Sequence, residues 1–134
     1  MKRAESKWCM RALLAIVVAG STSLCAAHEL TQDECVEGGD FIKNAALSRD
    51  YGITRDAFID RMDADVRLIQ TFPPELRWFV QDEDDEAFLT DAAKLVFDTP
   101  AKPESHRSQF LEACLARAAH SADVGAHTAE TSDR

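Results

Sequence analysis

The sequence lacks the patterns that would place it outside the all-helical class. No stretch alternates apolar and polar residues long enough for a β-strand, and no internal repeat spans the chain. The longest apolar run, near the amino terminus, is shorter than the about 20 residues of a membrane-spanning helix and is interrupted at residues 20–23. The remaining pattern is helical, so we expect a single-domain, all-α bundle of four or five short helices.

The chain also lacks the motifs of common enzymes and cofactor sites. It contains no G-x-S-x-G, no glycine-rich phosphate loop, no H-E-x-x-H and no C-x-x-C-H haem motif. An EF-hand loop aligned on Asp82 fails, because Ala87 stands where glycine is required and Ala93 where a glutamate belongs. We therefore predict no enzyme, no metal site and no cofactor, although a His28 amino terminus could chelate copper or nickel adventitiously.

Residues 1–27 have the layout of a secretory signal peptide. A start with four basic residues precedes an apolar run over residues 12–24, and small residues close the segment at Cys25–Ala27. Cleavage after Ala27 fits this layout best and would make His28 the amino terminus. We therefore expect a periplasmic or secreted protein.

Removal of this leader would make the chain strongly acidic. The leader holds four of the 15 basic residues and one of the 24 acidic residues, so 11 basic and 23 acidic residues remain, a formal charge of −12. Such a surface repels nucleic acid backbones and anionic lipid headgroups. We expect neither nucleic acid nor membrane as a partner. A protein or peptide partner remains open, as does the oligomeric state.

Only two of the four cysteines, Cys35 and Cys114, would remain after cleavage. Two cysteines in an exported chain predict a disulfide, because the compartment is oxidising. They lack the C-x-x-C spacing of redox-active pairs, which favours a structural bond. We predict that this disulfide joins the first and last helices.

The first helix has a clear start and an unusual middle. Thr31 and Glu34 form a capping box, so the helix should begin there and stop near Gly52. Gly38 and Gly39 lie inside it, although glycine disfavours a helix interior by about 1 kcal/mol. They predict either a bend or the close approach of another backbone.

The later helices follow from apolar spacing and proline breaks. We predict them over residues 54–70, 74–80, 82–98 and 103–120. The fourth is expected to bury Leu95 and the fifth Leu115. Residues 121–134 are polar and without an apolar period, which predicts a disordered tail after a domain of residues 28–120.

The stretch from Phe72 to Phe88 is the most distinctive on the chain. Residues 72–80 hold three large aromatic residues and a double proline, and the five acids Asp82–Glu86 follow them. Core packing is the default interpretation. The alternatives are a groove with an acidic rim for a peptide or partner protein, or a pocket for a small apolar ligand. The candidate binding residues are Phe72, Arg77, Trp78, Phe79, Asp82, Asp84 and Asp85.

Three motifs carry a family resemblance: T-Q-D-E-C at residues 31–35, S-R-D-Y-G-I-T-R-D at 48–56 and F-L-E-A-C-L at 110–115. They resemble those of short exported two-cysteine helical proteins of proteobacteria without assigned function, which implies the periplasm. In size, helicity and single disulfide the chain is also similar to periplasmic acid-stress chaperones. We expect a periplasmic, non-enzymatic binding or interaction module. An acid-stress or holdase-type chaperone and an apolar-ligand carrier are the alternatives.

Overall fold

The computed structural model describes the backbone of residues 28–130 and the side chains of residues 28–123. This range contains four α-helices, one 3₁₀ turn and no strand, which confirms the predicted all-α class. The elements are α1 (Gln32–Asp50), α2 (Arg55–Ile69), the 3₁₀ turn Pro74–Leu76, α3 (Glu83–Asp98) and α4 (Pro103–Glu130). The predicted signal peptide lies outside the described residues.

Helix α1 begins and ends where the sequence predicts. The Thr31 hydroxyl accepts a hydrogen bond from the Glu34 backbone N–H at 3.2 Å, and the Glu34 carboxylate accepts one from the Thr31 backbone N–H at 2.8 Å. This reciprocal capping box satisfies two N–H groups that the helix cannot bond internally. At the other end Gly52 adopts a φ of 93°, a left-handed conformation that glycine tolerates best.

Helix α1 is the centre of the bundle, and its most extensive interface is with α4. The Cys35–Cys114 disulfide joins these helices with their Cα atoms 5.5 Å apart, as predicted. Near the opposite end of α1, Arg49 donates hydrogen bonds to the carbonyls of Val96 and Ala101 at 2.7 and 2.8 Å. Helix α1 is therefore joined at one end to α4 and at the other to the last turn of α3 and the loop that follows it.

The paired glycines of α1 lie against α4, but the group that approaches most closely is a side-chain ring and not the backbone that the sequence predicts. A Cβ atom on Gly38 would lie 2.6 Å from Cε1 of the Phe110 ring, closer than real Cβ contacts allow. A Cβ atom on Gly39 would lie 3.5 Å from the Arg107 carbonyl oxygen, an ordinary van der Waals distance. Gly38 is thus the point of close approach, while Gly39 has room for a methyl group.

Aromatic rings fill the centre of the bundle. Phe79 is fully buried, and its ring centroid lies 5.8 Å from that of Phe110 and 5.6 Å from that of Trp78. Tilted ring pairs at such distances are favourable beyond their buried area by about 0.5–1.5 kcal/mol each. Of the seven phenylalanines, six join this network: Phe41, Phe58, Phe79, Phe88, Phe97 and Phe110.

The predicted helix over residues 74–80 is wrong. Only Pro74–Leu76 forms a 3₁₀ turn, and the chain then bends sharply at Phe79, whose φ of 37° lies in the left-handed region. The Val80 N–H donates to the Trp78 carbonyl and closes a γ-turn around Phe79. A continued helix would have spread Phe79 and Val80 over different faces, whereas the turn buries both side chains.

The predicted burial of Leu95 and Leu115 is also wrong, since they are 48% and 39% exposed. Leu115 follows Cys114 by one residue and so points about 100° away from the disulfide. The buried face of α3 is rotated from the predicted one. Its buried residues are Asp85, Leu89, Ala93 and Val96.

Helix α4 extends further than the apolar pattern predicts. Residues 121–134 are predicted to form a polar tail, but the helix continues to Glu130. Ala122, Ala126 and Ala129 are residues with high intrinsic helix propensity, and a helix that has already formed propagates readily.

The glycine pair provides a matched test of the α1–α4 contact. Gly38→Ala should lower the free energy of unfolding by about 1–3 kcal/mol, because the added methyl group overlaps the Phe110 ring. Gly39→Ala should leave it unchanged or raise it by up to about 1 kcal/mol, since alanine favours a helix more than glycine does. Urea denaturation of both variants measures the difference. Equal effects of the two substitutions would contradict the described contact.

The disulfide should supply a large share of the stability. It closes a loop over a sequence separation of 79 residues, for which the chain-entropy model gives an upper value of about 4 kcal/mol. Cys114→Ala should therefore shift urea denaturation to a much lower midpoint, and the reduced parent protein should match it.

Mass spectrometry of the exported parent should find Cys35 and Cys114 joined, and free thiols would refute the bond.

Candidate functional site

The seven candidate binding residues do not form one surface. Phe79 and Asp85 are fully buried, while Phe72 is 45% exposed. Arg77 braces its own loop, because its Nε donates to the Phe72 carbonyl at 2.8 Å and its Nη2 to the Gln70 carbonyl at 3.1 Å. Arg77 is therefore occupied by the loop it stabilises.

Trp78 borders a groove of about 340 Å³ between α1, α2 and α3. Its indole N–H donates to the Glu37 carboxylate at 2.8 Å, which fixes the orientation of the ring. Five apolar residues and one acid complete the lining: Phe41, Met62, Val66, Ile69, Leu89 and Asp65. We call this the Trp78 groove. It combines the core packing and the groove that the sequence left as alternatives.

The acids near this groove differ from the predicted ones. Asp65 and Glu37 lie at its edge, whereas Asp82 caps α3 by accepting from the Asp85 N–H at 2.9 Å. Asp84 is exposed, and its carbonyl accepts from Arg117. The run Asp82–Glu86 thus belongs to the amino-terminal end of α3, where negative charge is favourable.

Asp85, predicted as part of the acidic rim of a binding groove, is instead a fully buried carboxylate. Its Oδ2 accepts from the Gln81 N–H at 3.2 Å and lies 3.0 Å from Nδ1 of His28. Arg117 Nη2 lies 3.1 Å from Oδ1, although no donor reaches that oxygen with hydrogen-bond geometry. Burial raises the pKa of the Asp85 carboxyl above its ordinary value of 3.8, and the hydrogen bond from Gln81 opposes the rise.

His106 is the second buried ionisable group, and the sequence analysis assigns no role to it. Its Nε2 lies 3.4 Å from Nη1 of Arg49, which can only donate, so the histidine accepts there as a neutral ring. Burial lowers the pKa of His106, and the positive charge of Arg49 lowers it further. His106 also lines a second groove of about 400 Å³ between α3 and α4, over Ile42, Phe88 and Phe110.

Helical spacing contains the signal for both missed residues. His106 precedes Phe110 and Cys114 at intervals of four, and Asp85 precedes Leu89 and Ala93 in the same way. Extending each apolar face by one turn would have placed a charged or polar residue inside. Because polar side chains are mostly exposed, polarity alone predicts the surface for both positions.

Comparisons with family models, curated proteins and solved structures find no match to this chain. Among the described residues, no group of three histidine, cysteine or acidic side chains is arranged to hold a metal ion. Within the same range, no helix is both long and apolar enough to cross a membrane. The resemblance to exported two-cysteine proteins stays a prediction.

His106 should make the fold sensitive to mild acid. Because its folded-state pKa is lowered, its contribution to stability is complete above pH 6.5 and is lost as the pH falls from 6.5 toward the lowered value. Asp85 acts in the opposite direction. Because its pKa is raised in the folded state, the folded protein binds the proton first, and stability increases as the pH falls toward 3.8. His106→Gln retains an acceptor for Arg49 without a titrating ring, so the variant should lose less stability than the parent as the pH falls below 6.5.

Urea denaturation at a series of pH values between 7.5 and 5 measures this effect. The control is His120→Gln, which changes an exposed histidine of the same helix and should leave the pH dependence of the parent intact. A parent and a His106→Gln variant with the same pH dependence would show that His106 is not the group responsible.

Proposed function

We propose that this chain is a non-enzymatic, periplasmic binding module whose Trp78 groove accepts an apolar side chain from a basic peptide segment of a partner protein. The observation that carries the proposal is the groove itself, an apolar depression with an oriented tryptophan at its border and acids at its edge. Aromatic residues beside apolar depressions are typical anchor points of protein interfaces.

The size of the groove favours a side chain over a larger ligand. Its volume of about 340 Å³ lies at the low end for sites that enclose drug-sized molecules. A single leucine or aromatic side chain would fit within it. Its lining also supports binding without chemistry, because Asp65 is the one ionisable group among the lining residues and has no histidine, cysteine or lysine beside it.

Helix α2 forms the most weakly held wall of the groove. It buries only Met62 and Val66, whereas α1 buries six residues, and Leu68 on its outer side is 60% exposed. An element with few buried side chains opens at a lower free energy than the core does. The groove can therefore widen by a shift of α2 while the disulfide-linked helices stay in place.

Charge selects the class of peptide. Asp65 and Glu37 border the groove, and Asp60 is exposed on α2. With a predicted net charge of −12 after leader removal, the surface attracts basic partners and repels acidic ones. We therefore expect an apolar residue flanked by lysines or arginines.

Trp78 supplies the readout, because the only other tryptophan of the chain is Trp8, inside the predicted leader. A ten-residue peptide with a central leucine flanked by lysines should change Trp78 fluorescence and bind at least about tenfold more tightly than its glutamate-flanked counterpart. Asp65→Lys should weaken binding of the basic peptide by about three- to tenfold. Asp60→Lys, which makes the same charge change on the same helix, should have a smaller effect.

Two outcomes would contradict the proposed site. Equal losses in Asp65→Lys and Asp60→Lys would show that net charge, and not the groove, controls binding. No fluorescence change with either peptide, in a protein whose disulfide is formed, would remove the side-chain groove.

An acid-responsive chaperone is the second candidate, and the pair of His106 and Arg49 favours it. Protonation of His106 would place two positive groups 3.4 Å apart at the α3–α4 groove. Arg49 also holds the carbonyls of Val96 and Ala101, so its displacement would loosen α3 from α1. Apolar residues of that groove, including Phe88 and Phe110, would then become accessible.

Dye binding tests this second function. A dye that fluoresces on apolar surface should bind the parent as the pH falls from 7 to 3 and should bind His106→Gln only at lower pH. Absence of dye binding down to strongly acidic pH would eliminate the chaperone alternative.

A further inference from the structure

His28 is held by three acids, two of which lie at the amino-terminal end of α3. Its backbone nitrogen lies 3.4 Å from Oδ2 of Asp82, and its ring Nδ1 lies 3.0 Å from Oδ2 of Asp85. The ring Nε2 lies 3.4 Å from Oε1 of Glu34. Leu30, two residues later, is buried in the core. The position of residue 28 is therefore fixed by side-chain and main-chain contacts together.

The cluster around His28 contains more acids than permanent cations. Asp85 is fully buried, and Arg117 is the one lysine or arginine within ion-pair distance of it among the described side chains. Asp82 has no such partner in the same range, and its charge adds to the unfavourable environment of Asp85. The oxygen of Asp85 that lacks a hydrogen bond of good geometry is Oδ1, which lies beside Arg117, whereas Oδ2 lies beside His28. Two neighbouring carboxylates in this setting favour an additional cation.

We infer that Asp82 and Asp85 form a binding site for the α-ammonium group that cleavage after Ala27 creates at His28. The inference rests on the predicted cleavage position and is independent of the Trp78 groove. Hydrolysis of the bond between Ala27 and His28 adds water, so that Ala27 ends in a carboxylate and His28 in an ammonium group. The nitrogen that faces Asp82 then carries a full positive charge and three N–H donors in place of one neutral N–H.

The consequence is that leader removal stabilises the folded domain. A charge-assisted N–H···O⁻ bond is about twice as strong as a neutral one and is shorter. The ammonium group would contract the 3.4 Å separation from Asp82 and supply a positive charge to Asp82, which lies near Asp85. A precursor that retains its leader lacks this cation, and so does a chain cleaved one residue away.

The test uses the full precursor, exported by its own leader, and shifts the amino terminus by one residue. Insertion of one glutamine between Ala27 and His28 moves the ammonium group away from Asp82, retains the predicted peptidase site and, unlike a small residue, creates no second site one residue later. Intact mass identifies the first residue of each purified protein. The insertion should lower the melting temperature by about 2–5 °C, as expected for loss of a partly exposed ion pair in a domain of this size.

A double-mutant cycle separates the ion pair from simple crowding. In an Asp82→Asn background, which retains a good helix cap, the insertion should have almost no effect. In an Asp84→Asn background, where the changed acid is exposed and lies away from His28, the insertion should keep its full effect. An insertion that is equally harmful in all three backgrounds, or that has no effect in the parent, would overturn the inference. An exported parent whose mass does not begin at His28 would overturn it as well.

Discussion

Gly38 allows the ring of Phe110 to lie directly against the backbone of α1, one helical turn from the place where Cys35 joins the same helix to Cys114. This contact and the covalent bond together fix α1 to α4. The ion pair between Arg107 and Asp40 crosses the same interface but is partly exposed, so it adds little. In a domain with a small core, one disulfide and one closely packed ring can supply a large fraction of the net stability. Every other element is positioned relative to this pair of helices.

The surfaces with binding potential lie where the two fixed helices leave apolar residues incompletely covered. On one side, α2 and the γ-turn at Phe79 complete the Trp78 groove. On another side, α3 stands apart from α4 and leaves the groove lined by Phe110 and His106. The first groove has acids at its edge and suits a basic peptide, whereas the second contains a group that responds to acid. The two proposed functions therefore use different walls of the same framework.

The framework could be predicted from the sequence because its signals are local. The capping box at Thr31 acts through residues close in the sequence, and the two cysteines act through one covalent bond. The glycine pair indicates a close approach, but its partner, the Phe110 ring, comes from α4. The helical spacing of Asp85 and His106 indicates burial, but their partners come from other segments and could not be assigned, namely His28 and Arg117 for Asp85 and Arg49 for His106. The γ-turn at Phe79 escaped prediction for a related reason. Its positive φ runs against the local preference of phenylalanine and is maintained by tertiary packing.

A rigid α1–α4 pair should support a more easily opened α2, and amide hydrogen exchange measures this difference helix by helix. The free energy of opening should be highest for amides in α1 around Gly38–Ala46 and in α4 around Phe110–Cys114. Amides of α2 should exchange through openings of lower free energy. Their exchange should become slower when a basic peptide occupies the groove. Protection of α2 equal to that of α1 and α4 in the free protein would contradict the account, because the groove would then have no wall that can move.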